Sequence, residues 1–241
     1  MRRTKASSRS KTRSAAYKPD GPGLTNGGIV TAVELQKRPR SERMNVRIDG
    51  EFAFSLAAGS AWTLGPGDQI DEGRVRDLLD RDANERAYQR AVRFLAARPR
   101  SIAEVRRRLR SAGIDEEPIQ RAIERLEAED LVDDEQFASY WVGQRQAFRP
   151  RGPRALRFEL RARGVSNEAI TPAIEAVADE QSDAACRAGI REARRRCATG
   201  EVEFSRAVTN YLVRRGFDFA ATRIAVRQLW SMVEEEVVAH A

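Results

Sequence analysis

Arginine dominates the side chains of this sequence that could do chemistry. Consecutive arginines occur at positions 106–108, 194–196 and 214–215, and a looser cluster extends from Arg145 to Arg163. A guanidinium group carries a permanent charge and five hydrogen-bond donors, so it suits phosphate and carboxylate ligands and does not titrate near neutral pH. These residues therefore indicate the binding of an anionic partner.

Residue types that build common catalytic and metal sites are scarce. The sequence has one histidine, His240, and two cysteines, Cys186 and Cys197. This composition argues against a Ser-His-Asp triad and a His-based metal site, and the sequence has no phosphate-binding loop or dinucleotide-binding glycine motif. The two cysteines fall in one predicted helix, about 16 Å apart by helical rise, too far for a disulfide. We predict a protein that is not an enzyme and needs neither cofactor nor metal.

The charge is unevenly distributed along the 241 residues. The net charge is +7, and residues 1–18 hold seven basic side chains and no acidic one, so basic and acidic residues balance in the remainder. The first 28 residues are rich in Ser, Lys, Arg, Gly and Pro, which predicts a disordered basic tail with a weak attraction for nucleic acid. No segment reaches the roughly 20 apolar residues of a membrane helix. We expect a cytoplasmic protein without a membrane partner.

Alternating apolar residues predict a small antiparallel sheet near the start of the chain. Val46 and Ile48 precede Asp49-Gly50, and Phe52 and Phe54 follow it. Asp-Gly between such residues favours a two-residue hairpin turn with positive φ at both positions. Residues 29–35 offer a third strand, with Ile29, Thr31, Val33 and Leu35 on one side. So small a sheet needs helices to pack against.

The rest of the chain has a helical period and an internal repeat of about 51 residues. Arg98-Pro99-Arg100 recurs as Arg149-Pro150-Arg151, Gly113 recurs as Gly164, and Gly216 continues the series more faintly. Each unit has the pattern of three helices, with a capping serine or aspartate and a glycine stop. Such units are stable when stacked on their neighbours, which predicts an elongated, curved array. Pro172 departs from this pattern, so its helix either begins at Pro172 or is kinked.

The predicted fold is therefore mainly α, with tandem three-helix repeats and a small N-terminal antiparallel β-hairpin or sheet. The predicted domains are a disordered basic tail (1–28), a β-hairpin with a linking helix (29–85), and three-helix repeats at 86–132, 133–180 and 181–241, the last including the C-terminal end.

Arginines at equivalent places in successive repeats would form a basic stripe along the array. A phosphate backbone or an acidic protein groove would suit such a stripe, although arginines on helices also often pair with acidic residues four positions away. Trp141 and Phe148 lie beside the densest cluster, where they could stack on bases, but Trp141 shares a face with Phe137, which favours core packing. The candidate binding residues are Arg107, Arg110, Arg145, Arg149, Arg151, Arg154, Arg157, Arg161, Arg163, Arg194, Arg195, Arg214 and Arg215.

The second repeat carries a recognisable order of motifs. They are Asp133-Asp134, Phe137-Ala138, Trp141, Arg145, Arg149-Pro150-Arg151-Gly152, Glu159-Leu160 and Arg163-Gly164-Val165, together with Ser101, Glu104, Leu109, Gly113 and the Asp49-Gly50 hairpin upstream. This order resembles the RecX family of recombination regulators over nearly all of the chain outside the tail. The third repeat is the weakest match.

The resemblance implies a regulator, mainly an inhibitor, of RecA, the bacterial recombinase that polymerises on single-stranded DNA. Such a protein would bind the RecA filament, directly or indirectly contact its DNA, and suppress ATP hydrolysis, strand exchange and SOS co-protease activity, so regulating DNA repair and recombination. The family supplies no catalytic residue. The resemblance assigns fold-determining roles to Asp133, Phe137, Trp141, Leu160 and Gly164. We expect a monomer.

The alternative that the residues leave open is a general nucleic-acid-binding protein whose three-helix units act in helix-turn-helix fashion. A transcription factor of that kind usually presents one recognition helix and dimerises to bind half-sites. Three stacked units of falling similarity fit that arrangement poorly.

Overall fold

The computed structural model describes residues 27–37 and 42–238. The predicted basic tail lies outside these residues except for Gly27 and Gly28, and so does His240. The described part of the chain is mainly helical and has one four-stranded antiparallel sheet near its start. The predicted fold class is therefore confirmed.

The sheet is built around the predicted hairpin. Its strands are β1 (Gly28–Leu35), β2 (Arg43–Ile48), β3 (Glu51–Ala57) and β4 (Gln69–Ile70), in the order β3-β2-β1-β4. Asp49 and Gly50 both have positive φ, 49° and 84°, which is the backbone that a type I′ turn requires. The two-residue strand β4 was not predicted, because it is defined only by its pairing with Gly28 and Ile29.

The prediction that Ile29, Thr31, Val33 and Leu35 lie on one side of β1 is wrong. Val30 is fully buried, whereas Ile29 and Leu35 are about half exposed or more. The register with β2 shifts between Val30 and Ala32, as in a β-bulge. An extra residue at that point moves the side chains on either side of it to opposite faces.

Ten helices complete the described chain. They are α1 (Ala58–Ala61), α2 (Glu72–Leu95), α3 (Ile102–Arg110), α4 (Glu116–Ala128), α5 (Asp134–Phe148), α6 (Pro153–Arg161), α7 (Asn167–Glu175), α8 (Gln181–Arg195), α9 (Glu201–Arg214) and α10 (Phe219–Val238). The linking helix and the first helix of the first repeat are one continuous helix, α2. It begins after Asp71, whose side chain accepts a hydrogen bond from the Arg74 amide at 2.7 Å.

The helices after the sheet form three triplets. The first triplet is the C-terminal half of α2 with α3 and α4, the second is α5–α7, and the third is α8–α10. In each triplet the second helix ends in a glycine with left-handed backbone: Gly113, Gly164 and Gly216 have φ of 76°, 80° and 86°. Only a residue without Cβ adopts this conformation at little cost, so the repeated glycines set the angle between the second and third helices.

Capping and burial explain where the helices of the second triplet lie. The Asp133 side chain accepts hydrogen bonds from the amides at the start of α5, and Ser166 caps α7 by accepting one from the Ala169 amide at 3.4 Å. The sequence left two alternatives for this helix, a start at Pro172 or a kink. Since α7 begins at Asn167 and contains Pro172, the first alternative is wrong. Phe137 and Leu160 are buried in the core.

The prediction that both cysteines lie in one helix is wrong. α8 ends at Arg195, so Cys197 lies beyond the helix that contains Cys186. Both cysteines are free thiols.

The chain divides into two compact units. The first unit contains the described residues up to 93 and residues 106–125, and the second contains residues 94–105 and 126–238. The core of the first unit lies between the sheet and α2, and the second unit has separate apolar clusters in the second and third triplets.

Candidate functional site

The second unit has an arginine-lined cavity of about 610 Å³, here called the arginine cavity. It lies between the second and third triplets. Its lining residues are Phe148, Arg149, Pro150, Arg151, Arg187, Ala188, Arg191, Glu192, Arg195, Tyr211 and Arg215. Six of the lining residues are arginines and Glu192 is the one acidic residue among them, so the positive potential at the cavity attracts anions.

Half of these arginines keep their charge uncompensated. The guanidinium groups of Arg149, Arg187 and Arg191 make no ion pair or hydrogen bond to the described residues, and all three side chains are exposed. Arg195 is different, because it pairs with Glu192, whose pKa this contact lowers. The three open arginines are thus available for an incoming phosphate or carboxylate.

Helix α8 positions three of the arginines by simple periodicity. Arg187, Arg191 and Arg195 are four residues apart, which places them on one stripe of the helix. The opposite side of α8 holds buried alanines and Gly189, where a Cβ would come within 2.6 Å of Leu229 in α10. This close packing fixes the direction of the arginine stripe. Sequence reasoning missed Arg187 and Arg191, although their spacing of four was the available signal.

A second cavity of about 270 Å³, here called the aromatic cavity, adjoins the arginine cavity. Its lining residues are Arg98, Tyr140, Trp141, Gln144, Arg145, Phe148 and Arg149. Phe148 and Arg149 line both cavities, and 75% of Phe148 is exposed. From Tyr140 to Arg149 the aromatic cavity follows α5 for about 14 Å of helical rise. The two cavities therefore form one extended surface with an exposed phenylalanine at their junction.

Hydrogen bonds and ring contacts hold the floor of the aromatic cavity in place. Trp141 Nε1 and Arg145 Nε both donate to Glu159 Oε2, at 2.9 and 2.7 Å. The Arg163 guanidinium lies 3.6 Å from the centre of the Trp141 ring, and that of Arg145 lies 4.6 Å from it. Burial lowers the pKa of Arg163 from its usual value. Trp141 is half-buried and packs on the core of the second triplet.

A hydrogen bond and an ion pair extend this arrangement toward α3. Arg98 pairs with Glu104 at 3.1 Å, and Arg163 Nη1 donates to the backbone oxygen of Glu159 at 2.7 Å. Of the predicted binding residues, Arg145 and Arg163 therefore support Trp141 as well as carrying charge. Arg151 lies 3.9 Å from Glu159 at the edge of the arginine cavity.

The structure places the remaining predicted arginines outside both cavities. Arg154, Arg157 and Arg161 lie on α6, where the Arg161 side chain donates to Asn167. In the third triplet, Arg194 pairs with Glu236 at 2.8 Å, and Arg214 is exposed. Arg107 and Arg110 belong to the first unit, and Arg110 pairs with Glu116 at 2.7 Å. Of the predicted arginines, Arg145, Arg149, Arg151, Arg195 and Arg215 line the two cavities. That the other predicted arginines bind a partner stays a prediction.

Residues 27–37 and 42–238 contain neither a cluster of metal ligands nor a membrane-spanning helix. This part of the chain has no group of three or more His, Cys, Asp or Glu side chains that could hold a metal ion. None of its helices combines the length and the apolar character needed to cross a membrane.

Comparison with known proteins identifies the helix triplets. The sequence profile described as RecX, first three-helix domain, matches residues 87–126, and the profile of the second three-helix domain matches residues 133–174. The third triplet lies outside both matches. The first matched segment takes in parts of α2 and α4 and all of α3.

Proteins and structures similar to this chain carry the same name. A regulatory protein RecX from Geobacillus thermodenitrificans is 32% identical over 216 residues, 87% of this chain and 80% of the relative. One from Levilactobacillus brevis is 33% identical over 155 residues, which are 64% of this chain and 58% of that relative. A crystal structure of a regulatory protein RecX has the same fold, with a TM-score of 0.65 at 24% identity over 82% of this chain and 98% of that one. On these matches, the chain belongs to the RecX family of regulatory proteins.

Proposed function

We propose that this protein regulates RecA by binding the RecA filament on single-stranded DNA through the arginine and aromatic cavities. Bound there, it suppresses the filament's ATP hydrolysis, strand exchange and SOS co-protease activity, and so acts in the cytoplasm as a regulator of DNA repair and recombination. The protein acts by binding the filament and catalyses no reaction of its own. The proposal rests on membership of a family of regulatory proteins and on the resemblance of its motifs to regulators of RecA.

One observation supports the choice of this surface for binding: the residues that line the arginine cavity include six arginines and one acidic residue. Three of these arginines, Arg149, Arg187 and Arg191, are exposed and make no ion pair with the described residues, so their charges are concentrated on one surface and available to a partner. Acidic groups on a RecA surface and phosphates of the DNA inside the filament are the anions that such a site accepts.

The second candidate function is general binding of nucleic acid, and Phe148 is the observation that favours it. This ring is 75% exposed at the junction of the two cavities and lies next in sequence to the open Arg149. An aromatic ring beside cationic side chains is the arrangement with which proteins bind single strands without sequence preference, by stacking bases and neutralising phosphates.

Single-stranded-DNA-dependent ATP hydrolysis by the cognate RecA separates the two functions. The full chain is titrated against RecA at two salt concentrations, and its affinity for the same DNA is measured without RecA. A regulator of the filament reduces turnover at ratios well below one per RecA, even where its own affinity for DNA is weak. A general DNA-binding protein reduces turnover only as it saturates the DNA, and loses both effects together as salt rises.

A matched arm of the titration isolates the basic tail. A chain that begins at Gly28 lacks the seven basic residues of positions 1–18. Equal inhibition by both chains assigns the activity to the helical triplets. If the chain without the tail no longer inhibited RecA, the assignment of the activity to the two cavities would be contradicted.

A further inference from the structure

Successive triplets are joined by the same kind of contact. In the first joint, the turn at Gly164 rests on the N-terminus of α3, the second helix of the preceding triplet. Ser101 Oγ donates to the Arg163 carbonyl at 2.7 Å, and a Cβ on Gly164 would lie 2.3 Å from that of Ala103. The glycine thus allows the turn to touch the helix start.

The second joint repeats this arrangement one triplet later. The turn at Gly216 rests on the N-terminus of α6. The Gly152 amide donates to the Arg215 carbonyl at 3.0 Å, and the Arg154 amide donates to the Gly216 carbonyl at 3.3 Å. A Cβ on Gly216 would lie 2.4 Å from the nitrogen of Ala155.

The first triplet has the same turn with nothing docked on it. Gly113 has φ of 76°, and the Ile114 amide donates to the Leu109 carbonyl, as the equivalent amides do after Gly164 and Gly216. A Cβ on Gly113 would have no atom of the described residues within 4 Å. This turn therefore has the same backbone as the docked turns, and no described residue docks on it.

The third triplet has the complementary helix start with nothing docked on it. Gly200 caps α9 with φ of −61° and ψ of 158°, close to the −75° and 164° of Gly152 before α6. A Cβ on Gly200 also would have no described atom within 4 Å, and Val202 is 82% exposed. No triplet follows among the described residues to cover it.

The residues around the Gly113 turn are mixed in charge, because Arg107 and Arg110 precede it and Glu116 and Glu117 follow it in the first turn of α4. Glu116 pairs with Arg110, and Glu117 pairs with Arg121. The exposed Arg107 makes no ion pair with the described residues, so it provides a cation that attracts Glu201 and Glu203 in the first turn of α9 of another copy.

We propose that copies of this protein join head to tail, with the Gly113 turn of one copy on the N-terminus of α9 in the next. Such a contact uses different surfaces on the two partners, so it repeats from copy to copy and builds a linear chain or a closed ring. Val202 is larger than Ala103 at the second position of the docked helix, which keeps the backbones further apart than in the internal joints. The contact is accordingly weak. Dilute protein is monomeric, and copies held side by side on a polymer associate through their high local concentration.

Sedimentation velocity of the full chain over a rising concentration series tests this contact without RecA or DNA. We expect the average sedimentation coefficient to increase with concentration. Gly113→Asn should abolish the increase, because asparagine tolerates left-handed backbone but its side chain fills the docking space. Gly50→Asn is the matched control, since Gly50 has φ of 84° and equally open surroundings, and it should associate like the unmodified chain.

A second pair of variants tests the other surface. Val202→Arg should also remain monomeric, while Phe158→Arg, at a side chain 74% exposed on α6, should associate normally. Mixing Gly113→Asn with Val202→Arg restores one intact turn and one intact helix start, so the mixture should form dimers and nothing longer. A constant sedimentation coefficient for the unmodified chain, association of either blocked variant, or a mixture that stays monomeric would overturn the proposal.

Discussion

The buried ion pair between the sheet and α2 gives the most quantitative prediction. Asp82 is 3% exposed, and its carboxylate accepts hydrogen bonds from both terminal nitrogens of Arg43, at 3.3 and 3.0 Å, and from the Ala57 amide at 2.7 Å. Arg43 also donates to the Ser55 carbonyl. One carboxylate thus fixes the outer strand β3 and the helix that covers the sheet.

The change Asp82→Ala removes one partner of this pair and leaves the other behind. Arg43, whose side chain is 21% exposed, loses its carboxylate, and the Ala57 amide loses its acceptor. Breaking a buried pair in this way costs about 3–5 kcal/mol. That cost corresponds to a roughly 10²- to 4 × 10³-fold larger population of the state in which the strands are open, since each 1.4 kcal/mol is a factor of ten.

Native-state hydrogen exchange of the amides in β2 and β3 measures this opening directly. Glu72→Gln is the control, because the Arg76–Glu72 pair is exposed on both sides and such pairs contribute about 1 kcal/mol or less. Replacing both buried partners, as Arg43→Met with Asp82→Leu, should restore much of the protection. Exchange in Asp82→Ala that differs from the unmodified chain by less than about fivefold, the equivalent of 1 kcal/mol, would refute the reasoning.

Three further predictions concern the helix triplets and are tested by thermal unfolding. Trp141→Phe keeps a ring for the guanidinium groups but removes the donor to the Glu159 carboxylate, so it should lower the free energy of unfolding by about 1.5–3 kcal/mol. An unchanged stability would mean that this hydrogen bond contributes nothing. Burial raises the pKa of Asp134, so the fold loses stability as pH rises through that raised pKa and the carboxyl group becomes charged. Asp134→Asn should therefore be at least as stable as the unmodified chain at neutral pH, and the difference should vanish in acid. A variant that is less stable at neutral pH would contradict this sign. Gly164→Ala should destabilise more than Gly113→Ala, since both strain a left-handed backbone but only the first places a Cβ against the preceding triplet; equal losses would count against the joint.

Local signals in the sequence predicted much of the fold. Asp49-Gly50 specified the hairpin because few other residue pairs adopt positive φ twice, and Asp133 and Gly164 marked helix boundaries through the same local chemistry. Features defined by tertiary pairing were missed. β4 is only two residues long, and the bulge after Val30 depends on the register with β2.

The sequence predicted that the candidate site is rich in arginine, but not the set of arginines that lines the two cavities. Arginine clusters indicated an anionic partner, yet Arg161, Arg194 and Arg110 are paired or lie outside the cavities, while the unpredicted Arg187 and Arg191 line the arginine cavity. The difference arises because lining a cavity depends on how the second and third triplets pack. Periodicity within one helix cannot supply that information.

Charge reversal in the arginine cavity tests the central claim most directly. Arg187→Glu with Arg191→Glu changes two open cavity residues, and Arg206→Glu with Arg223→Glu makes the same change in charge at exposed positions outside both cavities. Both variants should melt like the unmodified chain. In RecA ATP hydrolysis, the cavity variant should need at least about tenfold more protein for the same inhibition, as expected for the loss of central charged contacts, and the control should inhibit normally. Equal inhibition by the two variants would contradict the account.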